Sequence, residues 1–306
     1  MKRCFLNERL KNIFLKNRDM RFIKMTGGLG NQMFIYAFYM RMKKHYSNTR
    51  IDLSDMVHYK AHNGYEMHRV FNLPPIEFCI NQPLKKVIEF LFFKKIYERK
   101  QVPSSLVPYD KKYFWPLLYF KGFYQSERFF ADMADDIRKA FTFNPSLSNR
   151  KTKEMSEQID HDENAVSIHV RRGDYLEPKY WKTTGCVCQL PYYLNAIAEM
   201  NKRISQPSYY VFSDDIAWVK ETLPLPKVFF IDWNKGTESW QDMMLMSRCR
   251  HHIICNSTFS WWGAWLNPRE NKTVIMPERW FRHCETPDIC PDKWIKVPIN
   301  QPDSIQ

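Results

Sequence analysis

The chain predicts an α/β protein in two halves, on three observations. Short β-rich runs alternate with helix-like runs in each half, the chemically interesting polar groups fall where strands end, and a polar stretch without apolar period lies between the halves. With 306 residues the chain can supply two cores of ordinary size. The expected organisation is a basic, poorly ordered extension over 1–19, one α/β domain over 20–150 and a second over 151–306.

The first half opens on Arg21-Phe22-Ile23-Lys24-Met25, a strand, and turns through Thr26-Gly27-Gly28-Leu29-Gly30-Asn31-Gln32 into a helix over 33 to about 45. A short strand, Arg50-Ile51-Asp52-Leu53, follows, and between 55 and 130 the pattern is irregular, with a mixed apolar helix over 84–97. A helix over 127–140 ends near Phe143-Asn144-Pro145, and 144–163 is the polar boundary, with an exposed helix over 151–159. The second half reads as strands at 165–170, 208–212, 228–231, 252–255 and 273–276, separated by helices at 191–203, 215–221, 239–249 and 259–266. That alternation calls for a parallel sheet covered by helices, with ligands at the carboxyl ends of its strands.

Composition narrows the partners. Hydrophobic content of 44% and aromatic content of 16% exclude a disordered chain. No run approaches the roughly 20 apolar residues of a membrane helix. A net charge of +13 calls for an anionic ligand, polyanion or anionic surface, which leaves open peripheral contact with the inner face of a membrane. The basic residues are scattered and no zinc-finger, RNP or basic-zipper pattern occurs, so a basic nucleic-acid-binding module is the disfavoured reading from another class. The eight cysteines form no C-x-x-C pair and follow no signal peptide, so free thiols in a cytoplasmic protein are expected, with no metal on Cys186 and Cys188.

Three strand-end segments carry the chemistry. In Val166-Ser167-Ile168-His169-Val170-Arg171-Arg172-Gly173-Asp174-Tyr175 an arginine pair ends a β-rich run; planar guanidinium groups fit a phosphate, although two arginines beside an acid are more often a solvated ion pair. Ser213-Asp214-Asp215 follows the second strand and reads as a helix cap rather than a metal site. Asn256-Ser257-Thr258 joins the 252–255 strand to an apolar helix whose first N–H groups suit a diphosphate, and Trp261, Trp262 and Trp265 read as core. Asp242 opens a helix, where it either serves the dipole or accepts hydrogen bonds from a guanine edge. In the first half, Gly28 and Gly30 are followed by Met33 where a dinucleotide fingerprint needs glycine. That loop is either a tight turn or a close backbone approach with Asn31 and Gln32 offering amides to a ligand.

Taken in order, Gly27-Gly28-Leu29-Gly30-Asn31-Gln32-Met33-Phe34, His169-Val170-Arg171-Arg172-Gly173-Asp174-Tyr175, Phe212-Ser213-Asp214-Asp215 and Asn256-Ser257-Thr258-Phe259-Ser260-Trp261-Trp262-Gly263-Ala264-Trp265 resemble the motifs of the α-1,2-fucosyltransferases of glycosyltransferase family 11. The resemblance spans about 21 to 298. It implies a GT-B-like fold, two facing Rossmann-like α/β domains with the active site in the cleft, and an acceptor-side first domain before a GDP-fucose-binding second one. The implied reaction is inverting transfer of L-fucose from GDP-fucose to O2 of a terminal galactose, a hexosyl transfer in polysaccharide or oligosaccharide synthesis that needs no cofactor or metal. On the same resemblance Arg171 holds the donor β-phosphate, with Arg172, Asn256, Ser257 and Thr258 also on the donor side and His169 and Asp242 addressing the guanine. Asn31, in the Gly28–Gln32 loop, would face the donor phosphate and acceptor. Asp174 and Glu177 are the acids nearest the motif for the acceptor proton, with Asp174 alternatively an anchor for the arginine loop. A fucosyltransferase acting on a peptide hydroxyl or core glycan is the alternative within the class, and the oligomeric state is open.

Overall fold

The computed structural model describes residues 21–57, 59, 61–74, 76, 119–185, 187–284 and 286–300. The basic 1–19 segment, the helix expected over 84–97 and Cys4, Cys79 and Cys186 lie outside the described residues. The chain divides into two compact units, 1–68 with 73–137 and 69–72 with 138–306.

In the first unit β1 (Arg21–Lys24) is the middle strand of a parallel sheet, with β2 (Thr49–Asp52) on one side and β3 (Tyr119–Phe120) on the other. Ile23 pairs with Ile51 and with Phe120, so apolar side chains stack in register across the three strands. The helix after β1, α1 (Leu29–His45), starts four residues earlier than its apolar period indicates. Gly28 explains the early start: its carbonyl accepts from the N–H groups of Asn31 and Gln32 at 2.9 and 3.0 Å, which closes the first turn. Gly27 reaches that turn at φ +83°, a left-handed conformation that glycine adopts without strain. Phe38 of α1 stacks on Tyr124 at 3.9 Å between centroids and meets Phe120 and Phe129 edge-on. That aromatic knot ties helix to sheet.

The helix expected over 127–140 is instead two single turns followed by α2 (Ala134–Ala140). Phe130 breaks it, leaving helical space at φ −147°. The division between units falls at 137/138 and not at 150, and the residues just beyond it show why. Arg138 lies 4.5 Å over the Trp265 ring, Phe141 meets Trp262 edge-on and Phe143 stacks on Trp240, all partners within the second unit. The polar stretch after them forms α3 (Arg150–His161), capped by Asn149, whose Oδ1 accepts from the Thr152 N–H.

The second unit is built on β4 (Ala165–Val170), β5 (Ser208–Ser213), β6 (Val228–Ile231), β7 (His251–Ile253), β8 (Val274–Pro277) and β9 (Ile295–Val297). All pair in parallel in the order β6-β5-β4-β7-β8-β9. Alternation along the strands feeds two cores. Val166, Ile168, Val170, Tyr209 and Val211 pack on one face with Tyr192, Tyr193, Ala196, Ile197 and Met200 of α4 (Leu190–Arg203). Ala165, Tyr210, Phe212 and Ile231 pack on the other with Ile159 of α3 and with Leu245 and Met246 further along the chain. Each such fully buried large aliphatic side chain contributes about 1.5–3 kcal/mol. The crossovers are completed by α5 (Ile216–Thr222), α6 (Trp240–Arg248) and α7 (Thr258–Leu266). Gly263 lets α7 meet α6 closely, since a Cβ there would stand 2.9 Å from Met246 Cβ. Trp261, Trp262 and Trp265 are buried, as core residues should be, and the Trp261 ring N–H donates to the Ile289 carbonyl at 2.8 Å.

A buried polar chain braces the two central strands. Asn267 Nδ2 donates to the Cys249 carbonyl and to His252 Nε2, at 2.9 and 2.8 Å, so the His252 ring presents Nδ1–H to Ser167 Oγ at 2.8 Å. Burial holds the His252 pKa well below its ordinary value, so the ring stays neutral. The five described cysteines are free thiols. Among the described residues no helix is long and apolar enough to cross a membrane.

The strand order decides where a ligand goes. From β4 the chain winds outward through β5 and β6, then crosses back to lay β7 against the other side of β4, with Ile168 opposite Ile253. Connections leave β4 and β7 in opposite directions, and the gap between their carboxyl ends is the sheet's topological switch point.

Candidate active site

Two of the three strand-end loops read from the sequence hang from that gap, and the third is drawn into it. Arg171 follows β4, where its Nε donates to Asp174 Oδ1 at 2.8 Å and lies 3.3 Å from Asp214 Oδ2 at the end of β5. Asp214 Oδ1 accepts from the Arg172 N–H at 2.8 Å, so one carboxylate fixes both the backbone and the side chain of the arginine loop. Burial works against the Arg171 charge, but the hydrogen bond to Asp174 and the charges of Asp214 and Asp174 outweigh it and raise the pKa. The terminal nitrogens of Arg171 have no partner among the described residues, and its side chain is 33% exposed. Two carboxylates aim a guanidinium whose outer edge remains available.

Gly173 makes this approach feasible. A Cβ there would stand 2.8 Å from Asp214 Oδ2, so a larger residue would push the carboxylate off Arg171. Arg172 takes a different course: its Nε donates to Asp215 Oδ2 at 3.0 Å and its guanidinium lies 4.2 Å over the Trp218 ring. Asp215 in turn caps α5, accepting from the Trp218 N–H at 3.1 Å. Asp215 is the cap expected, whereas Asp214 is not: it is the second support of the arginine loop, a role that needs the fold to be seen.

His169 is buried on β4, with Nδ1 3.2 Å from Cys255 Sγ and its ring tilted on Phe259. Burial, with the Arg171 charge as the second cause, lowers its pKa to about 3. It is a neutral ring at working pH. Burial pushes the Cys255 thiol up to about 12, so that pair carries no net charge.

At the end of β7 the expected roles shift. Asn256 does not present its side chain to a ligand: Nδ2 donates to the carbonyls of Thr184 and Trp280, both at 3.0 Å, and Oδ1 is buried without a partner among the described residues. Its backbone carbonyl accepts from the Tyr175 hydroxyl at 3.0 Å. Asn256 therefore braces the loop after the arginines and corrects the expectation of direct donor contact. Ser257 caps α7 by accepting from the Phe259 N–H, and its own N–H is taken by the Cys255 carbonyl at 2.7 Å. Ser257 thus offers no backbone donor, but the Thr258 N–H has no partner among the described residues. Neighbouring strands lie about 4.8 Å apart, so this N–H and the Arg171 edge belong to adjacent strand ends.

Asp242 sits in the first turn of α6, half-buried, with Oδ1 accepting from Asn234 Nδ2 at 2.8 Å. Burial raises its pKa to about 7, against the effect of the Asn234 hydrogen bond. Asn234 itself is oriented by Asn149 Nδ2 and Thr152 Oγ1, at 2.8 and 3.1 Å. Glu177 is exposed and holds Lys179 at 2.8 Å.

In the first unit, Gln32 is a correction. Its Nε2 donates to the carbonyls of Gly27 and Gly64, at 2.8 and 2.7 Å, and its Oε1 accepts from the Glu66 N–H at 3.0 Å. Fully buried and fully bonded, it has no donor for a ligand. Asn31 is half-buried and accepts from Gln125 Nε2 at 2.8 Å. Gly28 approaches His62, with an added Cβ 3.2 Å from that residue's Cβ and Cγ, and Gly30 is buried in the first turn of α1.

A guanidinium edge left open at the switch point of a parallel α/β sheet is suited to an anionic ligand. The chain belongs to glycosyl transferase family 11, whose model matches residues 11–297, and it is an enzyme of glycosyl transfer. Among its relatives are an alpha-1,2-colitosyltransferase of Escherichia coli, 33% identical over 90% of this chain and 97% of that protein, and the O-antigen biosynthesis glycosyltransferase WbnK of Escherichia coli, 29% identical over 89% and 99%. The galactoside alpha-(1,2)-fucosyltransferase 1 of Leontocebus fuscicollis is 31% identical over 49% of this chain and 43% of that protein. The fold is shared with the NodZ alpha-1,6-fucosyltransferase in crystals soaked with GDP-fucose, at a TM-score of 0.51 and 13% identity, over 85% of this chain and 95% of that one. The α/β, GT-B-like class expected from the sequence is thereby met.

Proposed function

We propose that this chain transfers L-fucose from GDP-fucose to O2 of a terminal galactose, with inversion at the anomeric carbon and without a metal ion. The observation that carries the reading is the aimed outer edge of Arg171 at the switch point, unpaired among the described residues. As the C1–O bond of the donor breaks, positive charge grows on the sugar and negative charge on the β-phosphate. Donors fixed before the reaction stabilise that charge at no reorganisation cost. Arg171 supplies the terminal N–H groups of its outer edge and Thr258 a backbone N–H at the start of α7, where the helix dipole adds to it.

Asp242, at the far side of the same unit's strand ends, suits the two adjacent donors of a guanine edge when it is ionised. Galactose O2 attacks the face opposite the leaving GDP, and its proton must pass to a base. Asp174 is the better placed of the two expected acids, because its Oδ2 has no partner among the described residues while Glu177 is held by Lys179. A loose, oxocarbenium-like transition state asks little of that base. Metal independence rests on Asp214 and Asp215 being committed to the arginine loop and the α5 cap.

The donor has one rival, favoured by the colitosyltransferase relative over nearly the whole chain. Colitose is fucose without its 3-hydroxyl, so both nucleotide sugars present the same diphosphate to Arg171. Lactose incubated with GDP-fucose or GDP-colitose, with and without EDTA, tests the reading by product mass and linkage. A 2-O-fucosylated galactose formed in EDTA is expected. Transfer from GDP-colitose alone would overturn the donor assignment, transfer only after magnesium or manganese the metal assignment, and transfer to a peptide hydroxyl or core glycan but not lactose the acceptor.

A further inference from the structure

The segment after the arginine loop has a construction that the donor chemistry leaves unused. From Tyr175 to Gly185 the chain leaves the site and returns to it, beginning with the Leu176 N–H donating to the Arg172 carbonyl at 2.9 Å. Its ends are pressed together: a Cβ on Gly185 would stand 1.8 Å from the Tyr175 carbonyl oxygen, so only glycine closes the loop. Its return limb is held by Asn256 on the Thr184 carbonyl, by the Arg282 N–H on the Thr183 carbonyl at 3.0 Å, and by Gln189 Nε2 on the Gly185 carbonyl at 2.6 Å. Between these anchors runs a π-helical turn, Trp181–Gly185, a rare conformation concentrated at functional sites.

What this braced loop presents is apolar. Leu176, Tyr180 and Trp181 are 44%, 37% and 38% exposed, three of the five large hydrophobic side chains left open among the described residues. The backbones of Tyr180 and Trp181 are fixed in one turn, since both their N–H groups bond the Glu177 carbonyl at 2.9 Å, and Lys179 Nζ lies 4.6 Å over the Tyr180 ring. Two exposed aromatic rings on a braced turn that is rooted in the arginine loop are suited to a flat, weakly apolar partner.

We propose that Tyr180 and Trp181 form the stacking platform for the acceptor's terminal galactose, an inference that rests on the galactoside reading above. A galactopyranose carries C–H groups of C3, C4 and C5 on one face because its O4 is axial, and that face packs on aromatic rings while the hydroxyl edges stay free for hydrogen bonds and for reaction at O2. The occupant is a sugar and not a bilayer on grounds of charge. Residues 173–185 contain Asp174 and Glu177 against Lys179 and Lys182, so the loop is electrically neutral and lacks the basic cluster that draws a protein to anionic lipid.

The test compares the full chain with its Trp181→Ala, Tyr180→Ala and Trp181→Phe variants, using steady-state kinetics on lactose and saturation-transfer NMR of lactose in the presence of GDP. Expected are a rise of tenfold or more in the lactose KM for each alanine variant, an unchanged KM for the sugar nucleotide, loss of saturation at galactose H3, H4 and H5, and recovery of most of the effect with phenylalanine. A lactose KM within twofold of the parent in both alanine variants, with undiminished saturation, would overturn the platform and leave the fucosyltransferase reading standing. Loss of flotation with phosphatidylglycerol vesicles in Trp181→Ala, with the lactose KM intact, would overturn it in favour of a membrane. A parent protein that is stabilised by GDP yet neither binds nor fucosylates any galactoside would overturn both the platform and the acceptor assignment.

Discussion

Replacing Arg171 by alanine separates what this side chain does for the fold from what it does for the reaction. Its Nε is spent internally, on Asp174 at 2.8 Å and Asp214 at 3.3 Å, and the outer edge is what the proposed leaving group would meet. Deleting one preorganised donor from a developing oxyanion costs about 3–4 kcal/mol, or about 10²–10³ in kcat. The internal side is worth less. Asp174 and Asp214 side chains are 25% and 27% exposed, so water takes over part of the lost bonding and the fold should lose about 1–2 kcal/mol. Arg171→Lys sharpens the comparison: it keeps the charge but has no Nε to rest on the two acids, so kcat should recover by less than about tenfold over alanine. GDP released from GDP-fucose and lactose gives kcat, and near-ultraviolet circular dichroism with thermal melting reports the fold. A folded Arg171→Ala protein with kcat within about tenfold of the parent would refute the clamp.

Three further outcomes follow from the geometry. Asp242 has a folded pKa of about 7 against an ordinary 3.8, so the folded chain holds a proton that the unfolded chain releases. Stability is therefore full below about pH 4 and falls as pH rises towards 7, by on the order of 2–4 kcal/mol, levelling off above that. Urea unfolding from pH 4.5 to 8 should show this slope and lose it in Asp242→Asn; GDP should bind tighter as pH rises through 7, and a pH-independent affinity would count against the guanine contact. Gly173→Ala places a methyl 2.8 Å from Asp214 Oδ2, and kcat should fall about tenfold or more while Tm drops by only a few degrees, measured by turnover and calorimetry. An unchanged kcat would mean that Asp214 is not an essential support. Gln32→Leu strips three backbone groups of their partner, at about 1–3 kcal/mol each before the leucine's own burial is returned, so net destabilisation of about 3 kcal/mol is expected. That corresponds to a Tm lower by about 10 °C, and a shift of less than about 2 °C would contradict the bracing role.

Local features of the molecule were legible in the sequence, and features made by distant partners were not. The strands of the second unit can be read because Val166, Ile168 and Val170 alternate within a few residues, and the arginine loop because it follows such a run. Gln32 looked like a ligand donor because its partners, Gly64 and Glu66, lie more than thirty residues away, and no pattern around the glycines marks them. Asn256 misleads in the same way, with Thr184 and Trp280 as its partners. The domain boundary looked polar and therefore late, whereas Arg138, Phe141 and Phe143 commit themselves to tryptophans about a hundred residues further on. Two signals were present and unread: the glycine between Arg172 and Asp174, and the glycine that closes the Trp181–Gly185 turn. At both, the missing Cβ is what permits a close approach. The edge strand β9 and the strand β3 are too short to announce themselves at all.

The placing of β7 beside β4 has a consequence for how the molecule comes into being. Val166 pairs with His251, so the two strands that flank the switch point are 85 residues apart in the chain and cannot meet until the whole crossover between them has been made. Such pairings fold slowly, because the long loop must be closed before any contact rewards it. On a ribosome, the arginine loop would emerge first and wait, its guanidinium aimed at nothing, while β5 and β6 assemble on one side of β4 and leave the other edge bare. The switch point therefore exists only once β7 has joined β4, with β8 and β9 still to be added beyond it.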